Sequence, residues 1–325
     1  MKEPHTFHGG RLSDACARFG GAQADWLDLS TGINPSAWEP SSGGELDWRA
    51  LPDPSTLAEL ERTAATYFGV DPSLCLAVPG SEAGLRALGQ ILQLPGVPQP
   101  LCYSTHVQAF AKPSLAGEPT VRVLGNPNNP DGALVPREPL LDVLKAQEAA
   151  GGWLLVDEAF ADCNPAWSIA DEVAEHRRLI VTRSFGKFFG LAGVRLGFVL
   201  GPSQLLTRLR HLQGEWPLCA AAIRFGTDAY ADAPWIARAR ANLFVAAQRL
   251  DAVLTRRGLA SRGECPLFRL GTVPCANHLF EALAQQQILT RPFTGHPHLL
   301  RFGLPGSAAA LARLDAALAV AGANG

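Results

Sequence analysis

The sequence predicts an α/β protein with a mainly parallel sheet covered on both faces and a second, smaller α+β domain. Three observations carry this reading. Short apolar runs at 75–78, 121–124, 153–156, 179–182 and 196–200 have strand length, and helical patterns lie between several of them. Beyond residue 260 strand and helix candidates mix without that alternation. At 325 residues the chain is long enough for two domains.

Taken in order, residues 1–50 read as irregular and rich in Gly, Pro and Ser. Thr56-Leu-Ala-Glu59 has the spacing of a capping box, and Leu57, Leu60, Ala64 and Phe68 follow at helical intervals. The strand Cys75–Val78 leads through Pro79-Gly-Ser-Glu-Ala-Gly84 into a helix ending near Leu94. A helix is expected over 138–150 and another from Pro202 to Leu212. A long one follows Pro234, with Ile236, Leu243, Ala247, Leu250 and Leu254 on one face and Gly258 as its stop. Strands at 266–270 and 298–304 then mix with helices at 276–286 and 307–321. These elements predict a large domain over 40–215 and a discontinuous small domain, 1–39 plus 216–325.

Composition narrows the function. A net charge of −2, with no long run of one sign, argues against nucleic acid or an anionic membrane as partner. No segment has the length of a membrane-spanning helix, and the polar start lacks a signal peptide's apolar stretch. Seven scattered cysteines with no C-x-x-C pair read as reduced thiols of a cytoplasmic protein, with neither a disulfide framework nor a metal site.

Against that background Lys187 stands out. The chain has four lysines, and this one follows the apolar run Leu179-Ile-Val-Thr182 and sits among aromatics and glycines. A lysine in a partly apolar pocket loses some preference for its charged form, and its free amine then attacks carbonyls. A Schiff-base role is one reading, and an ordinary loop lysine is the other.

Asp157 ends the strand run Trp153-Leu-Leu-Val-Asp157, where ligands of open parallel sheets bind, although a helix cap would look the same. A Walker-B role fails for want of a G-x-x-x-x-G-K-[ST] partner. Asn126-Pro-Asn-Asn-Pro-Asp-Gly132 is either a surface turn or a rigid support for the Asn129 amide. Gly80-Ser81-Glu82 opens a helix directly after a strand, a place suited to phosphate. Ser184 and Arg195 lie three residues before and eight after Lys187, within reach of the same anion. Together these residues answer the needs of pyridoxal 5′-phosphate: an aldehyde partner, an acid for the ring nitrogen, a donor for the ring hydroxyl, and a phosphate cup.

The residues so assembled resemble the fold-type I pyridoxal-phosphate enzymes of the class I/II aminotransferase superfamily. Within it the chain looks most like the L-threonine-O-3-phosphate decarboxylases of cobalamin biosynthesis. His8-Gly-Gly10, Leu27-Asp-Leu-Ser-Thr-Gly-Ile-Asn-Pro35 and the stretch Arg183 to Phe198 carry that closer likeness. The resemblance implies that Lys187 is the cofactor's covalent anchor and the catalytic residue. It implies that Asp157 partners the ring nitrogen, and that Asn129 donates to the ring hydroxyl oxygen. Ser81, Glu82, Ser184 and Arg195 would hold the phosphate, the first two chiefly through backbone N–H. His106 falls near the place of the aromatic that stacks on the ring. Arg301 matches the arginine that binds the substrate's acidic group, and His8 and Asn34 fall where relatives line the substrate pocket. A homodimer is implied as well.

Two further positions depart from the pattern. Phe160 stands where many relatives have a tyrosine touching the ring hydroxyl. Leu51 replaces a tyrosine that reaches the neighbouring subunit's phosphate. The expected reaction is decarboxylation of L-threonine phosphate to (R)-1-amino-2-propanol phosphate. A transaminase similar to histidinol-phosphate aminotransferases and a non-catalytic cofactor-binding regulator are the alternatives.

Overall fold

The computed structural model describes residues 9–40 and 46–323; His8, one of the expected pocket residues, lies outside them. Its strands are β1 (Leu27–Asp28), β2 (Cys75–Val78), β3 (Gly96–Pro98), β4 (Val121–Gly125), β5 (Trp153–Asp157), β6 (Leu179–Ser184), β7 (Gly197–Leu200), β8 (Ala260–Arg262), β9 (Phe268–Thr272), β10 (Ile288–Leu289), β11 (Arg291–Phe293) and β12 (His296–Gly303). The helices are α1 (Leu12–Phe19), α2 (Pro54–Phe68), α3 (Ser81–Leu92), α4 (Ser104–Ala109), α5 (Arg137–Ala149), α6 (Phe185–Phe188), α7 (Ser203–Gln213), α8 (Ala220–Ala231), α9 (Ala233–Arg256), α10 (Ala276–Ala284) and α11 (Ala308–Ala323).

The chain forms two compact units. The larger comprises the described residues of Ala37–Asn129 and Leu134–Arg238; the smaller comprises those of Met1–Ser36, Pro130–Ala133 and Ala239–Gly325. The expected boundary near 216 therefore moves to 238. Aromatic packing is the reason: Tyr230 of α8 meets the rings of Phe68, Phe185, Phe189 and Phe198, and Trp235 stacks on Phe189. Gly226 lets α8 lie against α2, since a Cβ there would come within 2.7 Å of Leu60.

In the larger unit one six-stranded sheet has the order β2-β7-β6-β5-β4-β3. Strands β3 to β6 pair parallel, and β7 runs antiparallel to both β6 and β2. Leu154, Leu155 and Val156 are all fully buried, as expected of a strand covered on both faces. Leu85 and Leu88 of α3 and Leu205, Leu206 and Leu209 of α7 join Leu76, Val123, Leu155, Ile180 and Val199 in one core.

Helix α2 begins earlier than the capping-box spacing suggests. Asp53 is its cap, accepting from the Ser55 N–H at 2.7 Å, and Pro54 takes the first turn, where its missing N–H costs nothing. In the smaller unit β11-β12-β9-β8 form an antiparallel sheet. The parallel pair β1–β10 joins the N-terminal segment to the C-terminal part of the chain. Among the described residues no helix is long and apolar enough to cross a membrane.

Leu155→Ala should destabilise the protein by about 2–5 kcal/mol, because its fully buried side chain leaves a cavity in a closely packed sheet. Val107→Ala, at a position 52% exposed, should change stability by less than about 0.5 kcal/mol. Urea unfolding of both variants checks the contrast.

Candidate active site

Strands β4 and β5 end side by side, with Gly125 opposite Asp157, and Asp157 lies opposite Thr182 of β6. This register sets the Asp157 carboxylate, 7% exposed, at the carboxyl edge of the sheet. Its Oδ1 accepts from Thr182 Oγ1 and its Oδ2 lies against His106 Nε2, both at 2.9 Å. Burial of His106 works against its charged form. The hydrogen bond to Asp157 and the neighbouring Cys102 act the other way and prevail, raising its pKa to about 9. At neutral pH His106 is thus an imidazolium set against Asp157.

His106 is therefore not the stacking residue expected of it. The imidazole is 1% exposed and lies behind Asp157. One helical turn earlier, half-buried Tyr103 meets it edge to face, with ring centroids 5.7 Å apart. Tyr103 donates to Glu82 Oε2 at 3.1 Å, and burial pushes its phenol up to about 12. The aromatic beside the acid is thus Tyr103. The spacing Tyr103-x-x-His106 was its only signal in the sequence.

A second cluster surrounds the start of α3. Gly80 (φ +90°) precedes this helix with no side-chain cap, so the first N–H groups are left to the surroundings. A Cβ on Gly80 would lie 2.8 Å from Arg195 Nη2, and one on Gly197 would lie 2.5 Å from the Ser81 N. Two glycines thereby make room for a guanidinium and a helix start. Arg195 is exposed and sits in the left-handed region (φ +57°); its Nη1 donates to the Ala192 carbonyl at 3.1 Å. Ser184 lies opposite Gly197 across the β6–β7 ladder. Backbone donors, a hydroxyl and a guanidinium at a helix N-terminus suit a phosphate dianion. Glu82 contributes only its backbone, because its carboxylate is taken by Arg86, Tyr103 and Thr105.

Lys187 sits in α6, a single turn directly after β6. It is half-buried, while Phe185, Phe188 and Phe189 around it in sequence are fully buried. In the Asn-Pro run, Asn126 is locked by Val135 and Trp167, and Asn128 donates to the Leu101 carbonyl at 2.8 Å. Asn129 is the half-buried asparagine of the three. Phe160 is buried and offers no hydroxyl, and Leu51 is 66% exposed.

The smaller unit holds the remaining expected residues. Arg301 is 2% exposed, donates to the Ser30 carbonyl at 2.8 Å and lies over Phe268. Directly opposite it across the β11–β12 ladder is Arg291, also buried, which no motif in the sequence marks. Burial, followed by the charge of Arg291, drives the Arg301 pKa well down. Asn34 is buried and uses its Oδ1 to accept from the Ser36 N–H at 3.0 Å. The Gly-Gly pair after His8 is tightly seated: Gly10 N donates to Ser30 Oγ, and a Cβ on Gly9 would lie 2.3 Å from the Ser30 carbonyl oxygen.

The sequence pattern of the aminotransferase class I and II family matches residues 104–318. A threonine-phosphate decarboxylase of Pseudomonas aeruginosa is 40% identical over 96% of both chains. One from a Sinorhizobium species is 38% identical over 96% of this chain and 97% of its own. The crystal structure of L-threonine-O-3-phosphate decarboxylase from Porphyromonas gingivalis superposes with a TM-score of 0.74 at 17% identity, covering 90% of this chain and 98% of that one.

The His106–Asp157 pair should leave a pH signature on stability. The His106 pKa is raised on folding from about 6.5 to about 9, so its contribution is fully present below pH 6.5 and disappears as pH rises through 9. That shift corresponds to about 3 kcal/mol. Denaturant unfolding between pH 6 and 10 should show the decline, and His106→Gln should flatten it.

Proposed function

Because the chain belongs to the aminotransferase class I and II family, we propose that it binds pyridoxal 5′-phosphate and decarboxylates L-threonine O-3-phosphate to (R)-1-amino-2-propanol phosphate, a step of cobalamin biosynthesis. The observation that carries this reading is the end-to-end likeness to proteins named for that reaction. The two glycine-lined approaches around Ser81 and Arg195, and the carboxylate held between Thr182 and His106, fit this cofactor.

When bound, the cofactor supplies an aldehyde carbon for covalent attachment and a ring that withdraws electrons from the amino acid's Cα. Lys187 Nζ is the group that attaches, and its freed amine delivers a proton to Cα after carbon dioxide has left. Asp157, held in place by Thr182 and His106, would keep a proton on the ring nitrogen. Asn129 donates to the ring hydroxyl oxygen, unaided by Phe160. The α3 N-terminus, Ser184 and Arg195 bind the phosphate, and Tyr103 offers an aromatic wall.

Arg291 and Arg301 suit the substrate's two acidic groups. Opposite residues of an antiparallel pair share a face, and like charges set there repel. A substrate bearing both a carboxylate and a phosphate relieves that repulsion. The exposed Trp48, Leu51 and Trp216 give the larger unit apolar surface suited to a second copy, in keeping with a homodimer.

Purified protein supplied with pyridoxal phosphate should release carbon dioxide from threonine phosphate without needing a keto acid. Keto-acid-dependent turnover with no gas would instead identify a transaminase. Lys187→Ala should abolish the visible absorption of the bound cofactor and lower kcat by about 100-fold or more. Arg291→Gln and Arg301→Gln should each raise KM about tenfold or more, by loss of a charge-assisted contact; steady-state kinetics checks this.

A further inference from the structure

The geometry points to Arg183, with Glu158 and Asp162, as a positioning device that holds Asp157 and the Lys187 turn in fixed relation. It rests on the roles of Lys187 and Asp157 given above. Asp157-Glu158 and Thr182-Arg183 are successive residues at two neighbouring strand ends, with Asp157 and Thr182 in register. The ladder continues one step further, through the Glu158 N–H to the Thr182 carbonyl at 2.9 Å. Because successive side chains of a strand face opposite ways, the two dipeptides are braced twice. Thr182 donates to Asp157 on one face. Arg183 donates to Glu158 at 2.7 Å and to Asp162 on the other.

The second brace is entirely buried: Arg183 is 3% exposed, Glu158 fully buried and Asp162 1% exposed. Glu158 also accepts from the Ile169 N–H at 2.8 Å and the Ser168 hydroxyl at 2.5 Å, which ties the loop after β5 into the same knot. The Arg183 guanidinium lies over the Phe68 ring, 4.6 Å from its centroid. One cation and two carboxylates without access to water are an expensive way to stabilise a core, and apolar residues of equal volume often do as well. A planar guanidinium offers what apolar residues lack, fixed directions. Arg183 is followed by Ser184 and, four residues on, by Lys187; Glu158 directly follows Asp157. None of the three need touch cofactor or substrate. They act through the strand ends, where an error near 1 Å lowers rate about a hundredfold.

Two variants separate positioning from plain stability. Glu158→Gln keeps the shape and removes the charge, whereas Arg183→Lys keeps the charge and removes the fork. In the cofactor-free protein, NMR titration of the His106 ring should show its midpoint lowered by about half a pH unit or more in both, because Asp157 no longer sits squarely against Nε2. In the loaded enzyme kcat should fall about tenfold or more, with KM changed by less than about threefold. Reduced thermal stability with an unmoved His106 midpoint would overturn the assignment. If the single variants do not fold, the neutral triple Arg183→Met, Glu158→Gln, Asp162→Asn replaces them. A wild-type midpoint there overturns the proposal, and a lowered one supports it. Failure of the wild-type protein to bind pyridoxal phosphate or to release carbon dioxide would sink the functional reading alone, since the cofactor-free titration still decides the positioning role.

Discussion

The register that sets Gly125, Asp157 and Thr182 side by side across β4, β5 and β6 is the constraint on which the rest of the larger unit depends. A slip of one residue would turn every side chain of a strand to the opposite face. Asp157 would then enter the core, and Glu158 and Arg183 would lose each other. The apolar residues 154–156 and 179–181 prevent the slip by filling both faces of the sheet. Core packing and site geometry are therefore one property of these strands.

Buried charges are arranged in two ways. In the larger, each buried charge stands close to an opposite one: Asp157 with His106, Arg183 with Glu158 and Asp162. In the smaller, Arg269 is likewise paired with Asp251, whereas Arg291 and Arg301 stand opposite each other with the same sign. The first arrangement is self-contained and serves to fix positions. The second gains from an anion brought from outside, which is the behaviour expected of a substrate-binding surface.

Much of this was legible in the sequence because strong local signals made it so. Apolar runs marked the strands of the large sheet, and the order of Ser81, Asn129, Asp157, Lys187 and Arg195 marked a candidate site. Where local signals competed, the reading strayed. Asp53-Pro54 outranked Thr56 as the start of α2, since a capping box is only a spacing, whereas a proline in the first turn fixes the backbone. The domain boundary moved from 216 to 238 because Tyr230 and Trp235 are recruited by aromatic rings distant in sequence. His106 was misplaced for a similar reason. Which of two residues one turn apart faces the acid depends on how α4 is set against β5, and no pattern within α4 encodes that.

The division of labour bears on how one scaffold serves different reactions. The residues proposed to hold a cofactor and control its protons fall in the larger unit. Which Cα bond breaks depends on which one is held perpendicular to the ring, and that is decided by where the substrate's acidic groups are anchored. In this chain the anchors assigned to them, Arg291 and Arg301, lie on adjacent strands of the smaller unit. A shift of either by one residue would put its guanidinium on the other face of the sheet. On the function proposed above, the register of β11 with β12 would set the substrate anchors, as that of β5 with β6 would set the cofactor's acid.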